Sequence, residues 1–145
     1  MRRLFATLAL TLLPLAAMAA APDAVLEPLT SAIDDAQAHA AALADHAAHA
    51  APTTLTMATD DEQGALSAVI GAEAALARIM RATPAMLLQQ TDVAITAELN
   101  RAQQALGSYL QARLRGNRKM MRAAAADAVE ALGRADALVS AERTH

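Results

Sequence analysis

Apolar residues recur along this chain at steps of three and four, the spacing that places side chains on one face of a helix. The most regular stretch lies between Thr83 and Arg115, where eight positions keep this spacing. These positions are Leu88, Asp92, Ile95, Leu99, Ala102, Leu106, Tyr109 and Arg113. Strict alternation of the two steps is typical of a bundle seam, so the segment predicts a long helix packed against other helices.

Three further segments show the same periodicity. The predicted helices span residues 28–50, 60–82, 84–115 and 118–142. The apolar stripes of the other three helices are Leu29, Ile33, Ala36, Ala40, Leu43, Ala47 and Ala50; Leu66, Val69, Ile70, Leu76, Ala77 and Met80; and Met121, Ala125, Ala128, Leu132, Ala135 and Val139. Short turns between amphipathic helices predict an all-α, up-and-down four-helix bundle. The alternative is a looser set of helices completed by dimerisation, because an alanine-rich core buries little area per residue.

Three local signals mark the ends of these helices. Thr59 and Glu62 have the spacing of a capping box, in which each side chain accepts from the other residue's backbone N–H. The pair Thr83-Pro84 is typical of a helix start, with proline in the first turn. Gly116 precedes Asn117 where the third helix should end, because glycine readily adopts the left-handed conformation of a helix stop.

The first nineteen residues have the three parts of a secretory signal peptide. Arg2 and Arg3 precede an apolar run, and Ala17-Met18-Ala19 supplies the small residues that signal peptidase accepts. We expect cleavage after Ala19 or one residue later, and a periplasmic or secreted protein. The alternative is a membrane anchor, but the run is shorter than the ~20 residues that a spanning helix needs. The start Arg2-Arg3-Leu4-Phe5 also resembles a twin-arginine signal, although general secretion is the expected route.

Composition excludes several classes of protein. The chain has 145 residues, enough for one domain, which we place at residues 20–145. Cysteine is absent, so no disulfide or thiolate metal site forms. The net charge is −3, and loss of Arg2 and Arg3 makes it −5, which argues against a nucleic-acid binder.

Polar residues on the predicted apolar stripes are the first candidates for a site. Glu73 lies within the stripe of the second helix, and Asp92 and Arg113 lie on the seam of the third. A buried carboxylate is costly unless it is paired. One interpretation is a concave pocket that holds both Glu73 and Arg113. The other is an ion pair between Glu73 and an arginine that sets helix register, or a position at the bundle edge.

Histidines on the first helix are a second candidate. Asp45, His46 and His49 have spacings of three and four, which place two ligands on one helix face as metal sites require. No further ligand is defined by the sequence, apart from His145 if the C-terminal tail folds back. The alternative is that these are solvated side chains at the edge of the helix.

Basic residues cluster at the turn between the third and fourth helices. Arg118, Lys119 and Arg122 lie at a helix start, where the helix dipole disfavours cations. They are therefore candidates for contact with an anionic surface or partner. The alternative is that the acidic residues 60–62, at the same end of an up-and-down bundle, neutralise them.

Catalytic signatures are missing from the sequence. No serine has a nucleophile-elbow context, and no glycine-rich phosphate loop is present. We therefore expect a non-enzymatic binding or accessory protein of the cell envelope, without a cofactor, whose partner is an envelope protein or a second copy of the chain. The alternative function is a periplasmic metal-binding or metal-sensing protein that uses the histidines of the first helix.

Overall fold

The computed structural model describes residues 21–82 and 89–144. Four α-helices span Ala21–His49 (α1), Asp60–Ala82 (α2), Gln89–Leu114 (α3) and Arg118–Arg143 (α4). The described residues contain no β-strand, so the predicted all-α class with four helices is confirmed. The predicted signal peptide and the predicted cap at Thr83-Pro84 lie outside the described residues.

The helices form a ring in which each packs against its neighbours in the chain, and α1 also packs against α4. Arg143 near the end of α4 donates to the hydroxyl of Thr30, early in α1, at 2.8 Å. At the other end, Arg118 in the first turn of α4 donates to the carbonyl of Ala47, near the end of α1, at 2.9 Å. The two helices therefore run antiparallel, as in an up-and-down bundle.

Alanine and a few large side chains fill the core. Tyr109 is the largest fully buried residue, and its hydroxyl donates to the carbonyl of Leu43 at 3.4 Å. Burial raises the pKa of Tyr109 to about 12, and the negative charge of Glu62 adds to this shift. The ring therefore remains neutral and apolar at physiological pH.

The buried stripe of α2 has a different phase from the predicted one. It consists of Glu62, Ala65, Val69, Ala72, Ala75, Leu76 and Ile79. Ile70, predicted to be in the core, is 54% exposed, so that prediction was wrong. The buried face of α2 contains the three alanines Ala65, Ala72 and Ala75, and the larger Ile70 lies on the outer face.

The start of α1 also differs from the sequence-based expectation. The helix begins at Ala21 rather than near Pro28, so the proline lies inside the helix. Proline lacks the N–H that would donate to the preceding turn. Pro28 lines a shallow groove between α1 and the C-terminal part of α2.

The turn between α3 and α4 follows the predicted chemistry. Gly116 has a φ of 64°, in the left-handed region that glycine tolerates. Its N–H donates to the carbonyl of Arg113, and the N–H of Asn117 donates to that of Ala112, which is a Schellman motif. The side chain of Asn117 then accepts from the N–H of Met120 and caps α4.

The four seams of the ring are not equally closed. The contact between α3 and α4 is the most extensive, and the contact between α2 and α3 is the least extensive. The weakly closed seam leaves a groove along the side of the bundle. Within the described residues, no helix combines the length and the apolar character needed to cross a bilayer.

Candidate functional site

A groove with a volume of about 400 Å³ lies between α2 and α3. It is lined by Glu73, Leu76, Ala77, Met80, Asp92, Thr96 and Asn100. We call it the α2–α3 groove. Its size is within the ~300–1,000 Å³ typical of ligand pockets, although it is an open cleft rather than an enclosed cavity.

Helical spacing places these side chains together. Glu73, Ala77 and Met80 follow steps of four and three along α2, so they form a second stripe beside the buried one. On α3, Asp92 and Thr96 are one turn apart, and Asn100 follows one turn later. The two stripes face each other across the seam where α2 and α3 make their least extensive contact.

Two carboxylates in this groove have no counter-charge among the described residues. Glu73 and Asp92 are both half-buried, and neither forms a hydrogen bond or an ion pair with the described residues. The nearby Arg78 and Arg81 donate instead to carbonyls of their own helix. The connecting residues 83–88 contain no charged side chain, so the connection supplies no counter-charge either.

Arg113 does not enter the α2–α3 groove. Its Nε contacts the carboxylate of Glu62, in the first turn of α2, and only 12% of the Arg113 side chain is exposed. The rise of ~1.5 Å per residue puts Glu73 about 16 Å further along α2. The predicted pocket holding both Glu73 and Arg113 is therefore wrong, whereas a bundle-edge position for Glu73 agrees with the structure.

Glu62 is the buried acidic residue that the sequence analysis missed. The capping box assigned its carboxylate to Thr59, but the carboxylate pairs with Arg113 instead. The hydroxyl of Thr59 forms no hydrogen bond with the described residues, and only its backbone carbonyl accepts from the N–H of Glu62. The spacing in the sequence indicates this burial, because Glu62 lies three residues before Ala65, and Ala65 lies four residues before Val69. All three side chains therefore fall on one face of α2.

Arg113 also ties the α1–α2 connection to the bundle. Its Nη1 donates to the carbonyl of Thr56 at 2.8 Å. Arg113 thus contacts the start of α2 and the preceding connection, and it lies one helical turn after the buried Tyr109. This arrangement explains the polar seam position of Arg113 by structure alone, without a ligand.

The histidine candidates form a pair rather than a cluster. His49 Nδ1 lies 3.0 Å from Asp45 Oδ1, and about three quarters of each side chain is exposed. His46 is half-buried, and its Nε2 has no hydrogen-bond partner among the described residues. Across the described residues, no three His, Asp or Glu side chains are placed to share a metal ion. The described residues thus add no further ligand to Asp45, His46 and His49.

His39, which the site prediction did not include, contacts α2 directly. Its Nδ1 lies 2.9 Å from Asp61 Oδ1, and its ring covers Gly64 so closely that a Cβ there would lie 2.6 Å from the ring. The missing side chain of Gly64 makes room for the imidazole. The pair therefore fixes the position of α1 on α2.

The basic cluster divides into one structural residue and two free ones. Arg118 donates to the carbonyls of Ala47 and Ala50, which are left without partners where α1 ends. A cation also suits that end of the helix dipole. Lys119 and Arg122 are exposed and form no hydrogen bond or ion pair with the described residues. Of the acidic residues 60–62, Glu62 forms an ion pair with an arginine, Arg113, and none contacts Arg118, Lys119 or Arg122 among the described residues.

A second groove, between α3 and α4, has charges that pair with one another. Arg134 donates to Glu98 at 3.0 Å and to Glu130 at 2.5 Å, and Arg101 lies 3.4 Å from Glu98. The hydrogen bond with Glu98 raises the pKa of Arg134. Glu98 and Glu130 are thus paired with arginines, whereas Asp127, an exposed carboxylate of this groove, has no partner among the described residues.

Comparison with known proteins adds no assignment to this geometry. No protein-family model, curated protein or solved structure matches the chain at a significant level.

Proposed function

We propose that the chain is an exported, non-enzymatic binding protein of the cell envelope that holds a basic amphipathic helix of an envelope protein in its α2–α3 groove. The observation that supports this most is that two half-buried carboxylates, Glu73 and Asp92, have no counter-charge among the described residues. They line the least closed seam of the bundle.

Electrostatics favours a cationic ligand in this groove. A half-buried carboxylate loses part of its hydration, and a nearby like charge adds repulsion. A lysine or arginine placed between Glu73 and Asp92 would relieve both effects and form charge-assisted hydrogen bonds. Thr96 and Asn100 supply further polar groups on the α3 side.

Apolar side chains beside the groove favour a helix over a small cation. Ile70 and Val93 are 54% and 65% exposed. Ile70 precedes Glu73 by three residues, and Val93 follows Asp92 directly. Leu76 and Met80 form an apolar floor and side. Grooves between helices commonly receive the apolar face of a further amphipathic helix.

A second copy of the chain is a poorer partner for this surface. In a two-fold symmetric dimer the same patch meets itself, so the carboxylates of one groove would face those of the other. Like charges across an interface are unfavourable. The predicted self-association therefore has no support from this groove.

Export is the part of the proposal that rests on the sequence. Arg2-Arg3, the apolar run and Ala17-Met18-Ala19 form the signal pattern. N-terminal sequencing of the protein from the producing cell should give Ala-Ala-Pro, beginning at Ala20, or Ala-Pro if cleavage is one residue later. Recovery of the unprocessed chain from the membrane fraction would contradict export as a processed protein.

Site-specific photo-crosslinking in intact cells tests the binding surface. A photoreactive residue at Thr96 lies in the α2–α3 groove, and one at Ser108 lies in the α3–α4 groove as the matched control. We expect a discrete adduct from Thr96 and none from Ser108. Mass spectrometry should place the adduct in a lysine- or arginine-containing amphipathic helix.

A charge variant completes that experiment. The double substitution Glu73→Gln and Asp92→Asn should abolish the adduct at Thr96, because it removes the carboxylates without changing side-chain size. An adduct that persists in this variant, or an equally strong adduct from Ser108, contradicts the proposal.

A further inference from the structure

The end of the bundle that carries the α3–α4 turn presents both free cations and exposed apolar side chains. We call this surface the tip and define it as Met57, Leu114, Arg115, Lys119, Met120 and Arg122. The connection 50–59 is held there, because Arg113 donates to the carbonyl of Thr56 at 2.8 Å. Residues of two separate connections thus share one surface.

The cations of the tip are available for an outside partner. Arg115, Lys119 and Arg122 are exposed and form no hydrogen bond or ion pair with the described residues. Arg118, Lys119 and Arg122 also line a groove of about 350 Å³. Because Arg118 caps α1, the other two are the ones that remain free.

Most acidic side chains at this end are already engaged. Glu62 pairs with Arg113, Asp61 with His39, and Asp45 with His49. Asp60 is the remaining carboxylate, exposed and without a partner among the described residues. An imidazole cancels the charge of a carboxylate only when it is protonated, so Asp45, Asp60 and Asp61 together offset part of the positive charge of this end.

The charge of the chain is also separated along its length. Residues 99–126 contain six cationic side chains and no carboxylate, although the whole chain has a net charge of −3. The end of α3, the turn and the start of α4 therefore contribute cations alone, and the carboxylates at this end of the bundle come from α1 and α2.

Apolar side chains lie among these cations. Leu114 is 71% exposed, Met57 59% and Met120 49%. Met57 lies in the connection 50–59, Leu114 is the last residue of α3, and Met120 lies in the first turn of α4. Because they come from three separate elements, they suit a soft, laterally adaptable surface better than a defined peptide. Exposed apolar residues beside lysine and arginine are typical of surfaces that insert shallowly among lipid headgroups.

We propose that the tip docks on a bilayer surface rich in anionic phospholipid. Arg115, Lys119 and Arg122 would contact headgroup phosphates, and the three apolar side chains would enter the headgroup layer. This inference goes beyond the proposed function, because it uses neither Glu73 nor Asp92 and leaves the α2–α3 groove free along the side of the bundle.

Vesicle co-sedimentation of the processed chain tests the proposal. The vesicles contain phosphatidylcholine with about one third phosphatidylglycerol, or phosphatidylcholine alone. We expect binding to the anionic vesicles alone, weakened by salt, because these interactions are screened within ~10 Å at 0.1 M salt. Lys119→Ala with Arg122→Ala should weaken binding by about thirty-fold, since each cation contributes on the order of 1 kcal/mol near such a surface.

A matched control removes two cations from the opposite end. Arg78→Ala with Arg81→Ala changes the net charge equally but should alter binding less than about two-fold, since α2 is about 34 Å long, several screening lengths. Leu114→Ser with Met120→Ser should weaken the binding that survives at high salt. Far-ultraviolet circular dichroism confirms that each variant is folded.

Three results would overturn the proposal. These are equal binding to both kinds of vesicle, equal losses in the tip variant and the Arg78/Arg81 control, and no effect of Leu114→Ser with Met120→Ser. If Leu114→Ser with Met120→Ser has no effect and the chain binds inorganic polyphosphate tightly, the ligand of the tip is a general polyanion or an acidic protein instead of a bilayer.

Discussion

Helix α3 is flanked by two grooves that differ in how their charges are satisfied. On the α4 side, Arg134 bonds to Glu98 and Glu130. On the α2 side, Glu73 and Asp92 have no cation among the described residues. The first groove has arginines paired with two of its carboxylates and leaves the exposed Asp127 without a partner among the described residues, whereas the second has carboxylates alone.

The same contrast exists within α2. Glu62 is 7% exposed and contacts Arg113, so its charge contributes to holding α2, α3 and the connection 50–59 together. Glu73, three turns later, is half-buried and has no partner among the described residues. Glu62 thus contributes to the packing of the bundle through an ion pair, and Glu73 makes no such contribution at the open seam. The following predictions test this distinction, beginning with the largest effect.

Arg113→Ala should have the largest effect on stability. It leaves the carboxylate of Glu62 buried without a partner, and breaking a buried ion pair costs on the order of 3–5 kcal/mol. Urea unfolding followed by far-ultraviolet circular dichroism measures the change. Arg101→Ala, at an exposed arginine near Glu98, is the control and should change the free energy of unfolding by less than ~1 kcal/mol. Equal effects of the two substitutions would contradict a structural role for the Glu62–Arg113 pair.

Tyr109 should resist alkaline titration. Its folded pKa of about 12 exceeds the unfolded value of 10.0, so the neutral ring is favoured by folding. This stability is fully present below pH 10 and is lost as the pH rises towards 12. Because the chain has one tyrosine and no tryptophan, phenolate absorbance reports on this residue alone. Titration near the unfolded pKa, with the helices intact, would show that the ring is not buried as described.

The same titration tests the influence of Glu62. In Glu62→Gln the pKa of Tyr109 should be lower than in the unchanged chain, because the negative charge of Glu62 contributes to raising it. Glu73→Gln is the control and should leave the titration unchanged. If the pKa of Tyr109 fell equally in both variants, Glu62 would not be the carboxylate of α2 that acts on the buried ring.

Arg118→Ala should lower the free energy of unfolding by about 1.5–3 kcal/mol, the range for hydrogen bonds to a charged group. It deprives the carbonyls of Ala47 and Ala50 of their donor at the end of α1. Lys119→Ala, next in the chain, should stay within ~0.5 kcal/mol, because its side chain has no partner among the described residues. Urea unfolding measures both effects. A larger loss of stability in Lys119→Ala than in Arg118→Ala would contradict the structural role of Arg118.

Glu73→Gln and Asp92→Asn should have the smallest effect on stability. Removing an unpaired charge from the α2–α3 groove breaks no contact, so the free energy of unfolding should change by less than ~0.5 kcal/mol or rise slightly. Glu98→Gln is the comparison, because it removes a carboxylate that Arg101 and Arg134 contact. Loss of stability in the groove variants beyond that of Glu98→Gln would mean that Glu73 or Asp92 is structural.

The helical fold was predictable because its signals are local. Steps of three and four identify the helices, and Gly116 with Asn117 predicts the turn between α3 and α4 correctly. The start of α1 was less predictable, because Pro28 is tolerated inside a helix whose neighbours stabilise it.

The site was predicted only in part, because it depends on helix phase and on pairing between distant residues. In α2 the large apolar residues Ile70 and Met80 predicted that their face of the helix is buried. The face that is buried in the structure consists largely of small alanines. Because the buried face differs from the predicted one, Glu73 lies at the open α2–α3 seam and Glu62 lies in the core. The partner of Glu62 is 51 residues away in the chain, at Arg113, a pairing that periodicity within one helix does not reveal.

Binding of a cationic helix in the α2–α3 groove, as we propose it, depends on Glu73 and Asp92. The most direct measurement is calorimetric titration of the processed chain with a synthetic amphipathic helix that has lysines beside a leucine stripe. We expect saturable binding that weakens at least about ten-fold in Glu73→Gln with Asp92→Asn, since charge-assisted hydrogen bonds contribute about 1.5–3 kcal/mol each. Asp127→Asn with Glu130→Gln removes the same charge from the α3–α4 groove and should retain the affinity. Equal losses in the two double variants, or no saturable binding by the unchanged chain, would contradict the claim.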